Sequence, residues 1–195
     1  LVDIILSNNG YEVVDQADFE GAAERVGTEA VEKLRARPVE GGTYDMILLP
    51  SHLWLTIHES IGHATELDRV LGMEESLSGG SFATVDKLGK LRYGSPLVNV
   101  RGLNTHPGFL ASVGFDDDGV ACQDFDIIRE GTLVGYSTSR EVVSAMGGKR
   151  SHGACRADSW ASIPILRMAN VCLMPGGERV SLEDIVADTK RGILI

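Results

Sequence analysis

Two histidines and a glutamate crowd into one short run, His58-Glu59-Ser60-Ile61-Gly62-His63, and Glu66 and Asp68 follow within a turn or two. Imidazole nitrogens backed by carboxylates are the donors of hydrolytic zinc sites, where a carboxylate beside the ion serves as general base. The spacing sets a condition on that chemistry. The zinc-protease pattern H-E-x-x-H keeps both histidines on one helix face. Here the run is one residue longer, so on an ideal helix of about 100° per residue His58 sits about 140° around from His63. Both reach one ion only if the extra residue is absorbed, most simply by a π-bulge, for which Gly62 offers backbone freedom. Three readings stay open on spacing alone: a zinc centre, a different metal held by the i, i+4, i+7 stripe of Glu59, His63 and Glu66, or a solvated charged face.

A helix over residues 53–69 must carry these groups. Leu53, Trp54, Ile57, Ile61 and Ala64 fall together on its core face, and Ser51 is placed to cap it. Before it, residues 44–49 read as a short apolar strand buried on both faces and stopped by Pro50. Further upstream, residues 1–10 read as the last turns of a helix closed by Asn8, Asn9 and Gly10. Residues 17–37 form an amphipathic helix with Phe19, Ala22, Ala23, Val26, Ala30 and Leu34 on one face, ended by Pro38. Glu40-Gly41-Gly42 breaks the pattern and divides residues 1–40 from 41–195.

Downstream, the Gly/Ser-rich residues 72–81 read as a loop, a flap if they border an active site. Residues 82–87 and 90–93 suggest a hairpin around Gly89. Strands follow over 97–100, 109–115, 120–128 and 132–138, with turns at 116–119 and Glu130-Gly131. A short helix over 139–146 ends at Gly147-Gly148, and the irregular residues 147–164 are too long for a passive connection. A strand over 166–174 and a final helix over 181–191, opened by a Ser181/Asp184 capping box, complete the chain. Helices first and mostly antiparallel strands after them define an α+β fold, with the strands packed on the motif-bearing helix.

Bulk properties narrow the partners. The 195 residues suffice for one well-buried core, and a net charge of −10 argues against nucleic acid or an anionic membrane as main partner. No apolar run is long enough to span a bilayer and no signal peptide is evident. Cys122, Cys155 and Cys172 are odd in number and lack CxxC spacing, which makes a reducing cytoplasm the default compartment. The chain opens at Leu1 without methionine and closes on an apolar Gly-Ile-Leu-Ile, so a piece of a longer protein is expected.

Three segments carry a resemblance. HESIGHATELDR is similar to the metal-binding segment of the TldD/PmbA family of metallopeptidases, also described as modulators of DNA gyrase. VGFDDDGVACQDFDIIREGTLVGYSTSRE resembles the strands and short helix that follow that motif. SHGACRADSWASIPILRMANVCLMPGGE resembles the segment leading to an Arg-Met-x-Asn strand and a Pro-Gly turn. The resemblance runs from about Tyr44 to the end, and more weakly back to Leu1. It implies that residues 1–40 are the helical tail of an N-terminal α+β domain, and 41–195 a metallopeptidase domain without its extreme C-terminus. It further implies that His58 and His63 are zinc ligands and that Glu59 is the base activating a metal-bound water. The implied reaction is hydrolysis of short or unfolded peptides, by the active subunit of a homo- or heterodimer whose related partner lacks the motif. The family's third protein ligand is a cysteine near the C-terminus, beyond Ile195, so the role passes to none of Cys122, Cys155 or Cys172. With two imidazoles alone this stretch is expected to bind zinc poorly and to be inactive.

An alternative from another class is a non-catalytic binding or regulatory subunit with an incomplete site. Glu66 and Asp68 have no transferable ligand role; they orient the histidines from behind or are solvated charges. Asp116-Asp117-Asp118-Gly119 reads as a hairpin turn rather than a calcium loop, because Ile127 stands where the twelfth-position glutamate belongs. His52 and His106 stand apart from the motif, and His152 shares a loop with Arg156, Asp158 and Ser159 that could border a substrate cleft. Substrate-binding residues are not otherwise legible, and the many short strands suggest that an extended peptide adds to an exposed strand edge near the metal.

Overall fold

A computed structural model describes residues 5–195, and the architecture is α+β with helices gathered early and strands late. Helices α1 (Glu12–Gln16) and α2 (Phe19–Arg35) open it. Asp18 caps α2 by accepting a hydrogen bond from the Gly21 amide, and Ala36 is already extended, two residues before Pro38. The apolar stripe of α2 does not enter the core, since Phe19 and Leu34 are largely exposed. Residues 5–10 are irregular rather than helical, and the remainder of the helix expected over 1–10 lies outside the described residues.

Strand β1 (Asp45–Ile47) is shorter than expected and is not buried on both faces: Asp45 and Met46 are exposed. It pairs in parallel with β8 (Gly192–Leu194) as a separate two-stranded sheet. Helix α3 (Pro50–Ile57) follows, with Leu49 as its N-cap and Pro50 in its first turn, so Ser51 is not the cap. Proline suits that position because its missing N–H would have no helical partner there.

The remaining strands are β2 (Val100–Gly102), β3 (Phe125–Arg129), β4 (Thr132–Leu133), β5 (Cys155–Arg156), β6 (Ile165–Leu166) and β7 (Val171–Leu173). Four of them form an antiparallel sheet in the order β4-β3-β2-β7, while β5 and β6 make a separate antiparallel ribbon. The β3–β4 turn is the expected Glu130-Gly131, with φ of 48° and 75°. Two consecutive positive φ angles match the right-handed twist of a hairpin, and a Cβ on Gly131 would lie 2.4 Å from the carbonyl oxygens of Gly94 and Ser95.

The hairpin expected over 82–93 is absent. Residues 89–93 run beside β4 instead, through Gly89 N–H to Leu133 O (2.9 Å), Leu133 N–H to Leu91 O (2.9 Å) and Tyr93 N–H to Gly131 O (2.8 Å). Residues 109–115 form no strand, although a Phe115–Ala121 bridge closes the predicted 116–119 turn. The helix over 139–146 is a 3₁₀ turn, Val143–Met146, ended by left-handed Gly147. Within 166–174 only β7 and the end of β6 are strand. Helix α6 (Leu182–Asp188) has the predicted reciprocal capping box of Ser181 and Asp184.

Leu67, Val100, Ile127, Ile128, Leu133 and Leu166 form the heart of the core. Leu67 opens the short helix α4 (Leu67–Val70), just past the motif, and is completely buried. Burying such a side chain contributes roughly 1.5–3 kcal/mol, so the C-terminal end of the motif is anchored in the core.

Candidate metal centre

The extra residue of the motif is absorbed as its spacing requires. α3 passes into a π-helical turn, His58–Gly62, and then a 3₁₀ turn, His63–Thr65. The His63 N–H bonds back to the His58 carbonyl, the i to i+5 pattern of a π-turn, which stacks the two residues one above the other. Their ring centroids lie 4.5 Å apart with planes at 86°. One donor atom each from His58, Glu59 and His63 lies within 4.8 Å of the others. A tetrahedral zinc wants donors roughly 3.4 Å apart, given Zn–N bonds of about 2.0–2.1 Å, so the chemistry and proximity of these donors fit an ion.

Gly62 serves the turn differently from the sequence expectation. Its φ of −55° and ψ of −65° are open to any residue, so backbone freedom is not the reason for glycine. Space is. A Cβ there would sit 2.4 Å from Sδ and 2.5 Å from Cε of Met168, which packs across the π-turn. Thr65 Oγ1 donates to the Ile61 carbonyl (2.8 Å) and Ser81 Oγ to that of Ala64 (2.6 Å), satisfying carbonyls that the irregular turns leave free. Ser81 thereby ties the 72–81 segment, which contains the short helix α5 (Glu75–Ser78), to the motif.

The helix stops at Glu66, whose ψ of 119° is extended, so the predicted i, i+4, i+7 stripe does not continue to it. Glu66 nevertheless meets His63: its Oε2 lies 2.7 Å from Nδ1. With the carboxylate as acceptor, Nδ1 carries the hydrogen and Nε2 keeps a lone pair for a metal, the carboxylate–histidine arrangement of zinc sites. Glu66 is only 2% exposed and bridges to Ser137, which fixes its backbone. Burial pushes its carboxyl above the usual range, while the His63 hydrogen bond and charge pull it down. Its second oxygen has no hydrogen-bond partner among the described residues, and Arg69 Nε stands 3.7 Å from the first. His58 is held below the ordinary imidazole range, first by burial and then by the neighbouring His63, against the pull of Glu59. A neutral imidazole is the ligating form.

Asp68 is buried too, but its carboxylate accepts from the Arg69 amide (2.7 Å) rather than supporting a histidine. It is therefore neither of the two things its position suggested. His152 is not part of the centre: it stacks on Phe125 at 4.0 Å, with Nδ1 3.1 Å from both Thr138 Oγ1 and the Tyr136 carbonyl. His106 stacks on Phe109 instead. Cys122 and Cys155 are buried, with Cys122 Sγ donating to the Gly153 carbonyl, and no cysteine joins the His58–Glu59–His63 group among the described residues. Sequence reasoning missed Met168 and the polar chain behind His63, where Glu74 pairs with both Arg69 (3.7 Å) and Arg167 (3.6 Å). The i, i+3 spacing of His63, Glu66 and Arg69 was its only visible trace.

Fold and site together define an α+β domain with a His-Glu-His group gathered on a π-widened helix. Residues 41–195 match the PmbA/TldA metallopeptidase C-terminal domain family, and the chain belongs to that family. It is 34% identical to metalloprotease MJ0996 of Methanocaldococcus jannaschii and 31% to a metalloprotease of Methanothermobacter thermautotrophicus, each over 95% of this chain and 38% of the relative. A zinc metalloprotease TldD homolog of Saccharolobus solfataricus is 29% identical over 97% of this chain and 40% of its own. This chain thus spans about two fifths of these relatives. The fold matches those of Thermotoga maritima TM0727 (TM-score 0.71, 23% identity) and Thermococcus kodakarensis TldE (0.68, 22%), each over 92% of this chain and 38% of the other. No helix among the described residues is long and apolar enough to cross a membrane.

Proposed function

We propose that this chain carries the catalytic centre of a zinc-dependent peptidase acting on short or unfolded peptides. The observation that carries the reading is the convergence of His58, Glu59 and His63 through the π-turn. The imidazole-rich donor set suits zinc, and one relative bears zinc in its name. His58 and His63 would hold the ion, and the family resemblance assigns the third ligand to a cysteine farther along the full-length chain. Bound there, zinc would supply Lewis acidity and lower the pKa of water to about 7.

The chain's own residues account for the rest. Glu66 holds the His63 ring by Nδ1. Glu59, exposed beside His58, takes the proton of the attacking water and returns it to the departing amine nitrogen. β7 is an edge of the four-stranded sheet and packs near α3. Met174 N–H bonds to Asn99 O and Leu103 N–H to Asn170 O, so Asn170, Cys172 and Met174 turn their backbone toward β2. Val171 and Leu173 then present theirs outward, where an extended peptide can pair. A dimeric working form with a related subunit follows from the same resemblance.

The test is Glu59→Gln in the full-length protein. Removing the proton acceptor while nearly keeping its shape should lower peptide turnover by about 10²–10⁴-fold with zinc content and fold retained. Near-normal turnover would overturn the assignment.

A further inference from the structure

We propose that the outward face of the β5–β6 ribbon is a carboxylate-binding subsite that engages an acidic group of the peptide substrate. The proposal rests on the peptidase reading above and gives that substrate a chemical class.

Strand geometry builds the subsite. Arg156 stands directly across from Ile165, and the Arg167 amide donates to the Ala154 carbonyl at 2.8 Å. Cross-strand partners share a face, as do alternate residues along a strand, so Arg156, Ile165 and Arg167 project together. With Asp158 and Ile163 they line a cavity of about 360 Å³. Cys155 and Leu166, the intervening pair, turn the other way and are 2% exposed. Cys155 and Leu166 thus face inward, and the opposite face, covered only at Ala154, offers two guanidiniums around an apolar floor.

The two arginines are held differently. Arg156 donates from Nη1 to its neighbour's carbonyl at Cys155 (2.8 Å) and from Nη2 to the Ala111 carbonyl (3.4 Å). Both acceptors are neutral, and among the described residues no carboxylate lies within ion-pair distance of it, Asp158 included. A guanidinium oriented by backbone carbonyls and left without a carboxylate is pre-aimed at an incoming anion, and here it lines a cavity beside a second one. Arg167 already shares Glu74 at 3.6 Å and adds a second, partly neutralised positive group. Ile163, 85% exposed, and Ile165 give the methylenes of an acidic residue an apolar wall.

The subsite is coupled to the metal centre by covalent and polar contacts. Arg167 immediately precedes Met168, the residue against Gly62 of the π-turn. Its partner Glu74 also binds Arg69, which stands beside the Glu66 that holds His63. Acidic side chains and a C-terminal carboxylate share the chemistry that two guanidiniums recognise.

The experiment measures binding to the full-length Glu59→Gln protein, so that affinity is read without turnover. Four fluorescent peptides of one length carry either Glu or Gln at one position and either a free or an amidated C-terminus. Anisotropy titration should show the carboxylate-bearing peptides binding about 10-fold tighter or more than the Gln, amidated one, with the advantage shrinking at high salt. Loss of the advantage on Glu-to-Gln exchange identifies a side-chain carboxylate, and loss on amidation a terminal one. Arg156→Gln should bring the ratio toward one, and Arg167→Gln should reduce it by less. Equal affinity for all four peptides overturns the proposal, as does an advantage that survives both arginine substitutions. The peptide comparison uses the unaltered subsite, so it stands even if an arginine variant fails to fold. Absence of hydrolysis by the protein with Glu59 intact would overturn only the peptidase reading.

Discussion

Replacing Gly62 by alanine puts the packing of the π-turn to a direct test. The backbone there, φ −55° and ψ −65°, costs an L-residue nothing, and alanine should gain roughly 0.5–1 kcal/mol by restricting the unfolded chain. Against that gain, the new Cβ falls 2.4 Å from Met168 Sδ and 2.5 Å from Cε, well inside van der Waals contact. Overpacking of this kind costs roughly 1–3 kcal/mol, and methionine can yield, so a net loss of about 1 kcal/mol is expected. In a chain of this size that is a fall in Tm of about 2–4 °C. If the turn moves rather than Met168, the rings of His58 and His63 part from 4.5 Å and zinc affinity falls with stability. Met168→Ala removes the obstacle. In that background Gly62→Ala should become neutral or stabilising, giving a coupling of roughly 1–3 kcal/mol in a double-mutant cycle read by thermal melts and zinc competition. Equal damage in both backgrounds would show that the contact is not why glycine stands there.

Glu66→Gln keeps the side chain's shape but removes the charge beside His63 Nδ1; zinc affinity measured against a chelator should drop by roughly 10–100-fold with the fold retained. An unchanged affinity would mean that the 2.7 Å contact does not orient the ligand. Burial, and then the nearby Asp118, push the Cys155 thiol from 9.0 up to about 12. Because the folded value is the higher one, stability from keeping the thiol protonated is fully present below pH 9 and is lost as pH rises toward about 12. Urea unfolding across that window should fall more steeply for the native sequence than for Cys155→Ala, and parallel curves would contradict the burial argument.

Much of the site was readable because its constraint is local. A spacing of five between two imidazoles can be reconciled with one ion only by widening the helix, and the π-turn at His58–Gly62 is that widening. The capping box at Ser181 and the two-residue turn at Glu130-Gly131 are local in the same sense. The hairpin expected over 82–93 failed for the opposite reason. Alternation around Gly89 suits pairing with a neighbour, but those residues pair with β4, some forty positions later, and nothing in a short window reveals that choice. β1 was misjudged on its apolar composition, since composition does not show that its partner is the short β8 on a separate sheet.

Glu66 meets His63, as one of its two expected roles has it, but not through a shared helix face. Its spacing of three from both His63 and Arg69 suggests one helix face, yet the helix ends at Glu66 itself. What brings the carboxylate back is its backbone bridge to Ser137 and the anchoring of Leu67 in the core. Once buried there, Glu66 needs compensation, because an isolated carboxylate in such a site would otherwise take up a proton. His63 and Arg69 supply it, and Arg69 is balanced in turn by Glu74, which reaches Arg167 on the ribbon. Two carboxylates and two guanidiniums thus alternate behind His63, and buried Asp68 adds a third carboxyl group that feels Glu74, Arg167 and Arg69. A substrate carboxylate arriving at Arg167 must compete with Glu74 for it, whereas at Arg156 it displaces only neutral carbonyls. Arg156 is therefore the stronger anchor of the pair, and its substitution should cost the larger share of any preference for acidic peptides.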